Sequence, residues 1–354
     1  MAARLKRATL LAALAAAGCG ERAPRVALPP FAARLPGHTI AVSWGAAPEL
    51  PAPDGWLDGV GVRLQEEGGV RALVGEPGSV GWSSLADNAL FAEAVAEAPV
   101  GDWQAFVDLQ QVVAAATRAL SAPGRGGGLP RALAGHAAQR AIDAFRLRGL
   151  AWIAAGVRDA EGEVRVEAVV AGADEGLFGA LGTGAPLPLP ATWPDRAADA
   201  RVLVRFAPTA VVRIVRELVG GEEGGAFDVM REALRGPRFD AALAALGGLG
   251  GSAAAVLAGG DVWLWASLRA PDAVADALDV IASPAQDGWA LGGFTLRIAD
   301  GALTATTGAG WTGPSRPVPA TGAALSVELP RAGQSWAVER AGAGRLRLHG
   351  ATRR

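Results

Sequence analysis

The residues that could carry chemistry are few, and their spacing excludes more than it offers. Gly250-Gly251-Ser252-Ala253-Ala254 comes nearest to the G-x-S-x-G elbow of a serine hydrolase, but it lacks the final glycine. The elbow stands between a strand and a helix, whereas Ser252 precedes a segment of strand character. A triad also needs a histidine. His38, His136 and His349 have no partners at triad or metal-ligand spacing, so each reads as a structural or surface residue. Gly308-Ala309-Gly310-Trp311-Thr312-Gly313 has the G-x-G-x-x-G spacing of a dinucleotide loop. Pro314, Pro317 and Pro319 forbid the helix whose N-terminus would hold the pyrophosphate, which leaves a glycine-rich loop. Carboxylates cluster at Glu66-Glu67, Asp159/Glu161/Glu163, Asp174-Glu175 and Glu222-Glu223. All fall at turns or helix starts, where acidic side chains are solvated or capping groups. A pair of them brought together by the fold would be the one remaining route to acid/base catalysis.

Two residue counts narrow the field further. The sole lysine, Lys6, lies in the first ten residues, so the body of the chain has no amine for a P-loop or a Schiff base. The sole cysteine, Cys19, cannot form an internal disulfide or a cysteine-based metal site. No metal site and no cofactor are expected.

Cys19 has a different chemistry available. Arg4, Lys6 and Arg7 form a positive leader, and Ala8 to Ala17 form an apolar run ending in small residues, the pattern of a secretory signal. Ten residues are too few to span a bilayer, which needs about 20. Ala16-Ala17-Gly18-Cys19 resembles the lipobox of bacterial lipoproteins, with Ala16 where that family usually has leucine. The resemblance implies acylation of the Cys19 thiol, cleavage before it, and anchoring of the mature N-terminus in a membrane. Gly20 after the cysteine is similar to the outer-membrane sorting class, facing the periplasm. An ordinary signal peptidase could instead use Ala15-Ala16-Ala17 and cut after Ala17.

At 51% hydrophobic and 19% charged, the chain has material for a sizeable core. No basic stripe with interleaved aromatics exists, and the net charge is -2, so nucleic acid is not expected as a partner. Tyrosine is absent while tryptophan reaches 11. Trp152, Trp263, Trp265 and Trp336 all lie in predicted hairpins, and Trp56 and Trp289 open two more. Indoles bury large areas, so core anchoring is the simplest reading. A ligand surface formed by Trp152, Trp263, Trp265 and Trp336 is the sharper one.

The elements that would position these residues follow a repeat. "AFVDLQQVVAAATRAL" (105–120) parallels "VLVRFAPTAVVRIVREL" (202–218), and "VRVEAVVAGADEGLFGAL" (164–181) parallels "VWLWASLRAPDAVADAL" (262–278). The offset is 97 between Val107 and Val204, and 98 between Val164 and Val262. Each unit reads as strand, helix, second helix, hairpin, helix. The strands are 103–109 and 201–206; the helices 110–120, 129–146 and 175–181, and 208–218, 227–246 and 273–281. The hairpins turn at 160–162 and at Gly259-Gly260, with Asp174 and Asp272 as N-caps of the closing helices. Asp261 splits the apolar stretch 252–270, so it reads as a hairpin rather than a membrane helix. "GWLDGVGVRLQEEGGVRALVG" (55–75) matches "GWALGGFTLRIADGALTATTG" (288–308) as a second type of hairpin flanking the pair. The body of the chain resembles uncharacterised exported bacterial families of serial strand-helix-hairpin units, a likeness that implies no activity.

The expected fold class is α+β, with antiparallel sheet built from two tandem strand-helix-helix-hairpin-helix repeats and the helices packed on one face. The expected organisation is a signal peptide (1–18), a tether (19–36), an N-terminal strand, hairpin and helix (37–100), repeat unit 1 (101–190), repeat unit 2 (191–308) and a C-terminal strand and hairpin (309–354). Function is expected to be non-catalytic: a scaffold or binding module held to the membrane through Cys19, with an envelope protein as possible partner. The alternatives are a carrier or sensor of an apolar or glycan ligand in a tryptophan-lined cleft and, more weakly, a carboxylate-dependent hydrolase.

Overall fold

A computed structural model describes residues 28–45, 62–75, 83–121, 129–160, 162–182, 188–195, 197–219, 236–308, 311, 315–319 and 322–353. The expected signal peptide, Cys19, the first half of the expected tether (19–27), Trp56, Glu161, Glu222-Glu223, the start of the expected 227–246 helix and most of the glycine loop at 308–313 lie outside the described residues. So does the side chain of His136.

The strands are β1 (Thr39–Gly45), β2 (Arg63–Glu67), β3 (Val70–Val74), β4 (Trp103–Asp108), β5 (Trp152–Ala160), β6 (Glu163–Ala171), β7 (Thr192–Pro194), β8 (Ala200–Arg205), β9 (Leu249–Ala258) and β10 (Asp261–Leu268). They continue with β11 (Ser283–Ala285), β12 (Gly288–Leu291), β13 (Phe294–Ala299), β14 (Ala302–Thr306), β15 (Ser315–Pro317), β16 (Leu325–Leu329), β17 (Gln334–Gly342) and β18 (Arg345–Arg353). The helices are α1 (Ala89–Glu97), α2 (Leu109–Ser121), α3 (Leu129–Ala144), α4 (Gly176–Ala180), α5 (Pro208–Val219), α6 (Pro237–Gly248) and α7 (Pro271–Ile281).

Sixteen of the strands make one antiparallel sheet, in the order β11-β12-β13-β14-β10-β9-β8-β16-β17-β18-β6-β5-β4-β1-β3-β2, while β7 and β15 pair separately. This overturns the expected α+β fold of two repeats with helices covering one face. Among the described residues strand outweighs helix, 45% against 31%, and a single large sheet organises them. The physical reason lies in the long-range pairing. Hairpins β5–β6 and β9–β10 each leave ladder groups to satisfy on their outer edges, and an open edge invites another strand. The strands β16, β17 and β18 fill the space between β8 and β6, so both edges are consumed in one sheet. The C-terminal strands β17 and β18 run to nine residues each, while α4 has only five against the seven expected over 175–181. The helices pack largely on one another in succession, α2 on α3, α3 on α5, α5 on α6 and α6 on α7.

Local turn chemistry behaves as the residues dictate. Gly259 and Gly260 take φ of +59° and +90° in the two-residue turn between β9 and β10, a conformation that a Cβ disfavours. Asp174 and Asp272 do not serve as N-caps. Glu175 holds that position in α4 and Ala270 in α7, where Pro271 starts the helix and Asp272 sits in the first turn. Proline at N1 costs nothing because its missing N–H would be unpaired anyway.

The sheet has two faces, called here front and back. On the front, at the β4–β6 end, Phe31, Leu85, Phe91 and Ala94 pack on Val42, Phe106, Trp152, Ala154 and Val169. The Asn88 side chain caps α1 by accepting from the Leu90 and Phe91 N–H groups at 2.8 and 3.2 Å. Before it, Asp87 closes a capping box, accepting from the Ser83 and Ser84 hydroxyls and the Ser84 N–H. These bonds hold the Asp87 carboxyl below the ordinary carboxylate range. A carboxyl whose pKa is lowered by folding adds stability above its unfolded value, about 3.9, and loses it as pH falls through the folded value. Thermal unfolding measured across pH 2–5 is therefore expected to show a shallower acid limb in Asp87→Asn than in the parent. Parallel limbs would sink the assignment.

On the back, α7 sets Val274 and Leu278 against Leu296 and Ala305 of β13 and β14. Further along, cross-strand neighbours Val166, Gly350, Trp336, Val327, Val202, Ala255 and Leu264 form a continuous apolar row from β6 to β10. Most are half-buried, and Leu264 is 37% exposed.

Candidate functional site

The residues singled out from sequence do not converge. Trp152 is fully buried in the front core, with the Arg345 guanidinium 5.2 Å from its ring. That guanidinium is held by Glu93 and Glu97 of α1, and the bonds to Glu97 above all raise its pKa. Trp263 and Trp265 lie on the same face, but β10 is seven strands from β5, about 33 Å at 4.7–4.9 Å per strand. Trp336 is on the opposite face, half-buried against Gly350. The four tryptophans therefore share no common surface.

What the fold builds around Trp263 and Trp265 is a packed plug. They gather with Trp193 of β7, Trp311, Leu189 and Val318 over Leu203, Ala254 and Val256. Trp193 is 2% exposed, and Arg201 and Arg316 approach its ring to 5.9 and 5.4 Å. Glu328 bridges the two guanidinium groups at 3.8 and 3.2 Å. Burial, and then the neighbouring Arg316, lower the Arg201 pKa. Sequence reasoning missed Trp193 and Trp311 because the first sits in a proline-rich stretch (186–194) and the second in the glycine-rich loop 308–313. An indole in each of two connecting stretches was the available signal, since a linker has no use for one.

Several groups with the chemistry for catalysis are engaged in structural bonds. Ser252 is fully buried, its hydroxyl bonded to the Pro188 carbonyl and 2.9 Å from the Ser267 hydroxyl. Asp108 is the most buried carboxylate among the described residues, and it accepts from the Gln111 N–H and side chain at 3.0 and 2.9 Å. The Asp159 backbone N–H donates to the Asp102 carboxylate at 3.0 Å, and Glu163 pairs with Arg165 at 2.7 Å. Among the described residues no group of three His, Cys, Asp or Glu could hold a metal ion. No described helix is long and apolar enough to cross a membrane, and 252–270 forms β9 and β10.

Between the two covered flanks of the front face lies a strip that none of the described residues covers. Its floor is a grid of cross-strand neighbours on β6, β18, β17 and β16: Glu167, His349, Ala337 and Ser326 in one row, Arg165, Ala351, Ser335 and Glu328 in the next. The strip spans three strand spacings, about 14 Å. It forms a trough of about 260 Å³, with small side chains in the middle and charged ones along both sides. The His349 Nε2 lies 4.0 Å from Glu339, an ion pair only when the ring is protonated. Of these residues, only His349 was singled out by its type. The rest became neighbours through pairings that join residues 163–171 to 345–353. Chemically the trough offers hydroxyls, an imidazole and carboxylates on an open sheet, which suits reversible polar contacts; no nucleophile there is seated against a base.

The chain matches no protein-family model, no characterised protein and no solved structure.

Proposed function

We propose that this chain is a non-catalytic, lipid-anchored protein of the bacterial envelope, held at the outer membrane through Cys19 and facing the periplasm, where its long sheet serves as a scaffold and binding module. The observation that carries the binding role is the trough on β6, β18, β17 and β16, the part of the front face that the described residues leave open between two covered flanks. A partner that meets it would find polar and charged groups at a spacing fixed by the strand ladder rather than by loops. The engagement of Ser252 and Asp108 in structural bonds supports a role without catalysis. The anchor rests on Arg4, Lys6 and Arg7, the apolar run after them, and Ala16-Ala17-Gly18-Cys19. Acylation at two sites would supply the multiple chains that stable anchoring requires.

Two measurements test the two halves. Cys19→Ala is expected to abolish labelling by a fatty-acid probe and to release the protein from the membrane fraction. A variant that fractionates and labels like the parent would refute the anchor. For the binding role, a photoreactive residue at Ser335 is expected to give an adduct of discrete mass in the native envelope. The same residue at Val280, exposed on α7, should give none. Equal yields at both positions, or none at either, would remove the trough from consideration.

A further inference from the structure

We draw no further inference here: the strongest candidate, the apolar band that crosses the back face from Val166 on β6 to Leu264 on β10, carries none because nothing in the structure shows what covers it.

Discussion

Replacing Trp152 by alanine is expected to destabilise the protein by about 3–5 kcal/mol, the range for truncating a fully buried aromatic. Its side chain is wholly enclosed, and it belongs to the core that joins α1 to β1, β4, β5 and β6. Truncation would leave a cavity between sheet and helix and remove the ring beneath Arg345. The bonds from Arg345 to Glu93 and Glu97 would remain, so the charge cluster alone could not restore the packing. The indole N–H has no hydrogen-bond partner among the described residues. Trp152→Phe removes that unpaired donor along with some volume, and should cost markedly less than alanine. Denaturant titration is the measurement, with the midpoint falling while the slope stays unchanged. Trp336→Ala provides the contrast at about 1 kcal/mol, because that ring is only half-buried. Equal losses at the two positions would contradict the burial difference on which the assignment rests.

The second large effect is expected at Arg340. Its guanidinium, projecting from β17, donates to four backbone carbonyls: Phe178, Gly179 and Leu181 at 3.1, 3.3 and 2.9 Å, and Gly182 at 3.1 Å. These are carbonyls at and just beyond the end of α4, where intrahelical donors run out; only Phe178 among them also accepts the C-cap N–H, from Leu181 at 3.2 Å. A cation there also meets the negative end of the helix dipole. Arg340→Ala is expected to cost about 2–3 kcal/mol, the scale for charge-assisted bonds whose acceptors are left partly buried. Arg340→Lys keeps the charge but lacks the planar fork, so it should recover only part of the loss. Hydrogen exchange around 176–182 should rise in the alanine variant ahead of global unfolding. Unchanged exchange there would show that α4 is held by its apolar contacts alone.

How much of this was legible in the sequence depends on the range of the interaction. Glycine turns announced themselves, because a positive φ is a demand made by one or two residues on their own backbone. Gly259-Gly260 was therefore placed correctly as the turn of β9–β10, and the hairpin read within 288–308 turns at Asp300-Gly301 between β13 and β14. Helix positions were also accessible: Pro208 opens α5 as its type suggested, and α2 begins one residue from the expected start. Sheet order was not accessible. The pairing of Leu325 with Val204 and of Leu346 with Val170 depends on edges more than 100 residues apart, and alternation within a strand says nothing about its neighbour. That gap produced the wrong fold class, because counting helices between strands cannot reveal that all hairpins share one sheet. It also hid the trough, whose residues are unremarkable one by one and adjacent only through those pairings. Trp152 shows the converse limit, since its hairpin was read correctly while its burial depended on α1, a helix from elsewhere in the chain.

The insertion of β16, β17 and β18 between β8 and β6 also bears on the order in which the molecule is made. During synthesis, the segments for β4–β6 and β8–β10 emerge long before their shared middle strands. Until those strands arrive, β6 and β8 each present an unpaired row of backbone donors and acceptors, the geometry that templates aggregation. Contacts such as Arg353 with Glu163 also close very large loops, which slows folding relative to a sheet of sequential hairpins. A protein of this topology gains from having its two incomplete half-sheets kept apart or held unfolded until the closing strands are available. Its central seam is thus a timing problem for the cell before it is a structural element.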